Sequence, residues 1–110
     1  MSGMNTTIDL PPEVFEAKAA EAAMLLKAMG NPHRLMILCR LGGGERAVGA
    51  LAEDFSLSQS ALSQHLAVLR AQGLVATRKE GQAVFYRIDD PAVARIIATL
   101  ASIYCPEMLS

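Results

Sequence analysis

With 110 residues, 52% of them apolar and 19% charged, the chain has the size and composition of one compact domain rather than two. Its longest apolar stretch, Ile96 to Tyr104, is interrupted by Thr99 and Ser102 and falls far short of the roughly 18 residues a bilayer crossing needs, which excludes a spanning protein. A formal net charge of -1 argues against a nucleic-acid binder recognised by bulk basicity, and Asp9, Glu13 and Glu16 stand where a secretory signal would be basic and then apolar. A cytoplasmic location is therefore expected.

Residues 1–10 are expected to form a flexible polar arm, and residues 11–110 a single domain. From Pro11 to Met29 the chain is rich in Ala, Leu, Glu and Lys, which predicts a first helix ending at Gly30. Asn31-Pro32 places a capping side chain before a proline at the first helical position, and a second helix is expected to run to about Leu41. Gly42-Gly43-Gly44 breaks it, and Val48 to Phe55 suits a short third helix. Ser58 is placed to cap a fourth helix reaching Gln72, with Leu57 and Leu62 spaced as a hydrophobic staple and Gly73 as the stop. Leu74 to Arg78 and Val84 to Ile88 read as a two-stranded ribbon around Lys79-Glu80-Gly81-Gln82. Asp89-Asp90-Pro91 opens a last helix that Pro106 ends.

Charge is unevenly spread along these elements. Residues 58–88 hold Arg70, Arg78, Lys79 and Arg87 against Glu80 alone, a local +3, while the segments on either side are each net negative. At 100° per residue, Leu62, Leu66 and Leu69 of the fourth helix form one stripe and Ser60, Ser63, Gln64 and Ala67 the opposite face, with Gln59 beside it. Small and amide side chains without carboxylates suit a major groove, where Gln pairs with adenine and Ser with several bases. Such a face is also common as plain solvated surface. The short third helix, the turn and the fourth helix together make a helix-turn-helix, and the ribbon behind it brings Arg78, Lys79 and Arg87 to where they could straddle a phosphate backbone. Arg70 suits a phosphate clamp or a surface ion pair, and His65 a packed, hydrogen-bonded place at the core edge.

Three segments, Asn31-Pro32-His33-Arg34-Leu35-Met36-Ile37-Leu38, Leu57 through Val75, and Arg78-Lys79-Glu80-Gly81-Gln82 with Tyr86, resemble the winged-helix repressors of the ArsR/SmtB family over about residues 18–104. The resemblance implies a mainly α (α+β) fold, a winged helix-turn-helix of four helices, a β-hairpin wing and a C-terminal helix. It also implies a homodimer joined through its first and last helices, on which Phe15, Ala19, Ala22, Leu26, Ile96, Ile97, Leu100 and Ile103 offer apolar surface. Such a dimer meets near-palindromic double-stranded operator DNA with its reading helices about one turn of DNA apart. The DNA-binding set it implies is Ser58, Gln59, Ser60, Ser63, Gln64, Arg70, Arg78, Lys79 and Arg87.

Many relatives in that family sense metals, through Cys-x-Cys on the third helix or Asp and His near the last. This chain has no thiol in residues 48–54 and no histidine in residues 89–110, and His33 and Cys39 lie about 240° apart around a helix. No metal and no cofactor is expected. Composition alone favours Cys39 and Cys105 as inert small hydrophobes, Cys39 in the apolar stripe with Leu35 and Leu38. The resemblance favours another role, because a cysteine on the second helix with one at the end of the last is similar to the dithiol of the family's persulfide-sensing branch. There, low-molecular-weight persulfides drive an intramolecular polysulfide bridge, operator DNA is released, and sulfide-detoxification genes are derepressed. A general oxidant or metal sensor, a thiol enzyme and a protein-interaction module are the other readings. An enzyme is disfavoured by the absence of Cys-x-x-Cys and of a histidine placed as a base.

Overall fold

The computed structural model describes residues 10–109, so the expected arm, apart from Leu10, lies outside the described residues. Helix α1 (Pro12–Met29) starts on a proline pair and exposes nearly its whole length, burying only Ala28 and Met29 at its end. Helix α2 (Pro32–Leu41) follows at once, because the Asn31 side chain accepts hydrogen bonds from the amides of His33 and Arg34 at 2.9 and 3.1 Å. Arg34 reaches back to donate to the Ala28 carbonyl at 2.6 Å, so the cap of α2 also closes the carbonyl end of α1.

After the glycines the chain forms a strand that the sequence pattern did not show. Strand β1 (Arg46–Ala47) pairs with β3 (Ala83–Ile88), which pairs in turn with β2 (Val75–Glu80), all antiparallel in the order β1-β3-β2. The expected two-stranded ribbon is thus a three-stranded sheet; two residues are too few to display an alternating pattern. The hairpin is also longer than expected. Lys79 and Glu80 belong to β2, and the turn is Gly81-Gln82 alone, with Gly81 at φ 64° where a two-residue hairpin needs a positive value.

Helix α3 (Val48–Asp54) and helix α4 (Gln59–Ala71) form the helix-turn-helix, and helix α5 (Pro91–Tyr104) returns across the domain, capped by Asp90, whose side chain accepts from the Ala92 amide at 2.9 Å. A 3-10 turn, Pro106–Leu109, closes the described chain. The core is one cluster: Ile37, Leu38 and Leu41 of α2, Leu51 of α3, Leu62, Leu66 and Leu69 of α4, Leu74 and Val75, and Val93 and Ile97 of α5. The leucine stripe of α4 is therefore its anchor, and its opposite face is free. Ile97, expected on the surface of α5, is core at 5% exposure, and Ile96 and Leu100 are half-buried. Phe15, Leu26, Ile103 and Tyr104 remain exposed, Tyr104 at 75%. Among the described residues no helix is long and apolar enough to cross a membrane.

Candidate functional site

Two groups of side chains stand out, a face on α4 with the hairpin beside it, and a pair of thiols elsewhere. Ser58 caps α4 by accepting from the Ala61 amide at 3.1 Å, and Gln59, Ser60, Ser63 and Gln64 are all exposed on the turns that follow. No carboxylate lies on the helix. The N-terminal end of its macrodipole adds partial positive charge at Ser58. Farther along, Ser63, Arg70 and Val48 line an open cleft of about 490 Å³ with Tyr86 of β3. Among the described residues Arg70 has no ion-pair partner, and Tyr86 puts a phenol next to it that the sequence reading did not assign to the site.

The strand register divides the three wing cations. In β3, Val84, Tyr86 and Ile88 point to one face, and Tyr86 and Ile88 pack against the core under α4. Lys79, paired with Val84, lies on that inner side, is exposed and makes no ion pair among the described residues. Arg78 and Arg87 lie on the outer side, so the three do not form the single straddling group that their nearness in sequence suggested. Arg87 faces Asp89 at 3.7 Å, and Arg78 is bound by Glu45 and Glu80. Glu45 was missed because it lies 33 residues from Arg78 in the chain.

Both cysteines are free, Cys39 exposed and Cys105 half-buried. Cys39 is not in the apolar stripe: Ile37, Leu38 and Leu41 fill the buried face of α2 and Cys39 lies off it. Desolvation of its sulfur, then the neighbouring Cys105, push the Cys39 thiol above its ordinary pKa. Arg40, adjacent in sequence, pairs with Asp54 at 3.1 Å. The two thiols come from α2 and from the residue that closes α5. His65 is packed, but against the His33 ring, 5.5 Å between centroids, and among the described residues it makes no side-chain hydrogen bond of the kind expected. Desolvation first, then the charges of Arg34 and His33, lower its pKa. Among the described residues no group of three His, Cys, Asp or Glu side chains could hold a metal ion.

Comparison with known proteins adds independent findings. Residues 31–77 match the family described as bacterial regulatory protein, arsR family. The chain is 53% identical to the transcriptional activator HlyU of Vibrio cholerae over 83% of this chain and 84% of that protein. The structure of reduced HlyU from V. cholerae superposes with a TM-score of 0.82 at 52% identity, covering 84% of this chain and 98% of that one. The biofilm growth-associated repressor of Agrobacterium fabrum is 43% identical over 90% of this chain and 86% of its own. A homodimeric winged helix-turn-helix DNA-binding domain from Mycobacterium bovis matches at 34% identity and a TM-score of 0.72, over 89% of each chain.

Proposed function

The chain belongs to the arsR family of bacterial regulatory proteins, and on that premise we propose that it is a homodimeric, DNA-binding transcriptional repressor that senses reactive sulfur species through Cys39 and Cys105. Its relatives are transcriptional regulators, some named activators and some repressors. Ser58, Gln59, Ser60, Ser63 and Gln64 would meet base edges and nearby phosphates, while Arg70 and Lys79, which make no ion pair among the described residues, would meet the backbone and supply affinity without sequence choice, Arg87 being turned to Asp89 on the outer side. The exposed Phe15, Leu26, Ile103 and Tyr104 support pairing of two copies through α1 and α5, and the M. bovis relative is homodimeric. Two copies would present two α4 helices to a near-palindromic operator.

What supports the sensing step is a pair of free thiols outside the reading face, Cys39 exposed on α2 and Cys105 half-buried at the end of α5, with Cys105 helping to raise the Cys39 thiol. Each thiolate attacks the sulfane sulfur of a low-molecular-weight persulfide and releases the parent thiol, leaving a protein persulfide. One persulfide anion then attacks the inner sulfur of the other, expels hydrosulfide and closes a trisulfide, so atoms and electrons balance. The bridge would tie α2 to the dimer helix and alter the spacing of the two reading heads; a few kcal/mol of differential affinity is enough for a switch.

Intact mass after brief persulfide treatment, with unreacted thiols blocked under denaturing conditions, tests the chemistry. The expected product is one sulfur heavier, two hydrogens lighter and carries no blocking group. A fully blockable, unchanged chain would reduce the cysteines to packing. In gel shifts Cys39→Ser and Cys105→Ser are expected to bind DNA and ignore persulfide, and a single variant with full response contradicts the paired mechanism. Release of DNA by peroxide or zinc as readily as by persulfide would point to a general oxidant or metal sensor.

A further inference from the structure

All three nitrogens of the Arg78 guanidinium are taken by carboxylates. Nε and Nη2 donate to the two oxygens of Glu45 at 2.8 Å each, and Nη1 donates to Glu80 at 3.3 Å. The paired bonds to Glu45 are the fork geometry that fixes a guanidinium in its plane. The guanidinium lies over the Phe85 ring, 4.5 Å from its centroid. Strand register explains the convergence. Arg78 is directly opposite Phe85, Glu80 follows two residues later on the same side of β2, and Glu45 lies two residues before Ala47, which faces Phe85 from β1. Side chains from both edge strands therefore meet over the central one, on the face turned away from α4.

The surroundings are wrong for a phosphate ligand. Arg78 and the neighbouring Arg87 share this face with three carboxylates, Glu45, Glu80 and Asp89, so the face carries no net positive charge to draw a DNA phosphate away from the bonds Arg78 already makes. Hydrogen bonding to Arg78 holds Glu45 below the usual carboxylate range, and the two carboxylates raise Arg78 in return, so the cluster stays ionised near neutral pH. The surroundings do suit a fastening. Strand β1 is only two residues long, and an isolated two-stranded hairpin is marginal in water, so backbone pairing alone holds the ribbon weakly to the domain.

We infer that Glu45 is a positioning residue for the wing and Arg78 its anchor, the clasp fixing the β2–β3 ribbon to β1 and so setting where Lys79 stands relative to α4. This assignment rests on the DNA-binding reading above, and it removes Arg78 from the set of phosphate contacts that the sequence suggested.

The test is binding to a mixed-sequence duplex of about three helical turns across a series of salt concentrations, for the full chain and for Glu45→Gln and Arg78→Gln. Both variants are expected to bind several-fold more weakly, with the slope of log K against log salt unchanged. If Arg78 were a phosphate ligand restrained by Glu45, Glu45→Gln would tighten binding and Arg78→Gln would reduce the slope by about 0.9. Either result overturns the assignment. Hydrogen exchange at the β2 and β3 amides, read without DNA, is expected to be faster in both variants, and unchanged protection also overturns it. A full chain that shows no salt-sensitive duplex binding would sink the DNA-binding reading instead, and hydrogen exchange would still decide whether the clasp holds the wing.

Discussion

Ser58 has two roles that one pair of substitutions separates. Its hydroxyl oxygen accepts from the Ala61 amide at 3.1 Å and satisfies one orphan donor of α4, while the side chain stays exposed at the start of the reading face. Ser58→Ala removes the cap at a cost of about 1 kcal/mol. For a chain of 110 residues that lowers the unfolding midpoint by about 4 °C. Ser58→Asp keeps an acceptor at the cap and places a negative charge at the positive end of the helix, so stability is retained or raised by about 0.3 to 1 kcal/mol. On DNA the order inverts, because the carboxylate brings like charge toward phosphates while alanine only deletes a donor. Thermal unfolding at fixed protein concentration, followed by circular dichroism, and duplex binding by fluorescence anisotropy read the two roles separately. If Ser58→Asp is as unstable as Ser58→Ala, the hydroxyl is not the cap of α4. If it binds duplex as tightly as the unaltered chain, this end of α4 does not face the phosphates.

Other substitutions test the remaining links. Leu69 is fully buried beneath the reading face, so Leu69→Ala should cost about 2 to 5 kcal/mol in urea unfolding, and a loss under about 1 would mean the site collapses around the smaller side chain. His65 titrates lower in the fold than its ordinary value of about 6.5, so its stabilising contribution is present above that pH and is lost as pH falls toward the folded value. His65→Gln should flatten the fall in urea midpoint between about pH 7.5 and pH 5.5, and an unchanged pH profile would assign the acid sensitivity to other groups. Cys105→Ser removes the thiolate that helps raise the Cys39 thiol, so the alkaline limb of the Cys39 alkylation profile, where both thiols ionise, should move to lower pH, while burial still keeps its pKa above the ordinary value. An unchanged alkylation profile would place the two thiols too far apart to interact.

What was legible in the sequence was whatever one element decides by itself. The leucines at 62, 66 and 69 mark the buried stripe of α4 because burial follows helical periodicity, and Asn31, Ser58 and Asp90 mark helix starts because the unpaired amides there need a side-chain oxygen to donate to. What was not legible depends on pairing between elements. Strand β1 has no periodic signal, yet it brings Glu45 over Phe85 to Arg78, and nothing in residues 78–87 alone says which cation will be claimed. The alternation within the ribbon was readable, but the side that faces α4 was not, because that depends on Tyr86 and Ile88 packing under the helix. His33 and His65 likewise meet only because α2 lies under α4.

The arrangement also bears on how a signal at the thiols could reach DNA. Ile37, Leu38 and Leu41 of α2 sit in the same core as Leu62, Leu66 and Leu69 of α4, and Val93 and Ile97 bring α5 into that cluster. Interiors packed to this degree shift between discrete arrangements rather than deform smoothly. On the proposed reading, a bridge from Cys39, which lies off the buried face of α2, would leave this core intact, and each reading head would move as a unit with its leucines still buried. The change would then fall on the angle between two copies, where it would cost little packing and misalign both α4 helices against a fixed half-site spacing. On this account, one chain of a bridged dimer should unfold no more readily than a reduced one while the dimer loses operator. Loss of DNA binding only together with loss of helical signal would place the switch inside the core instead.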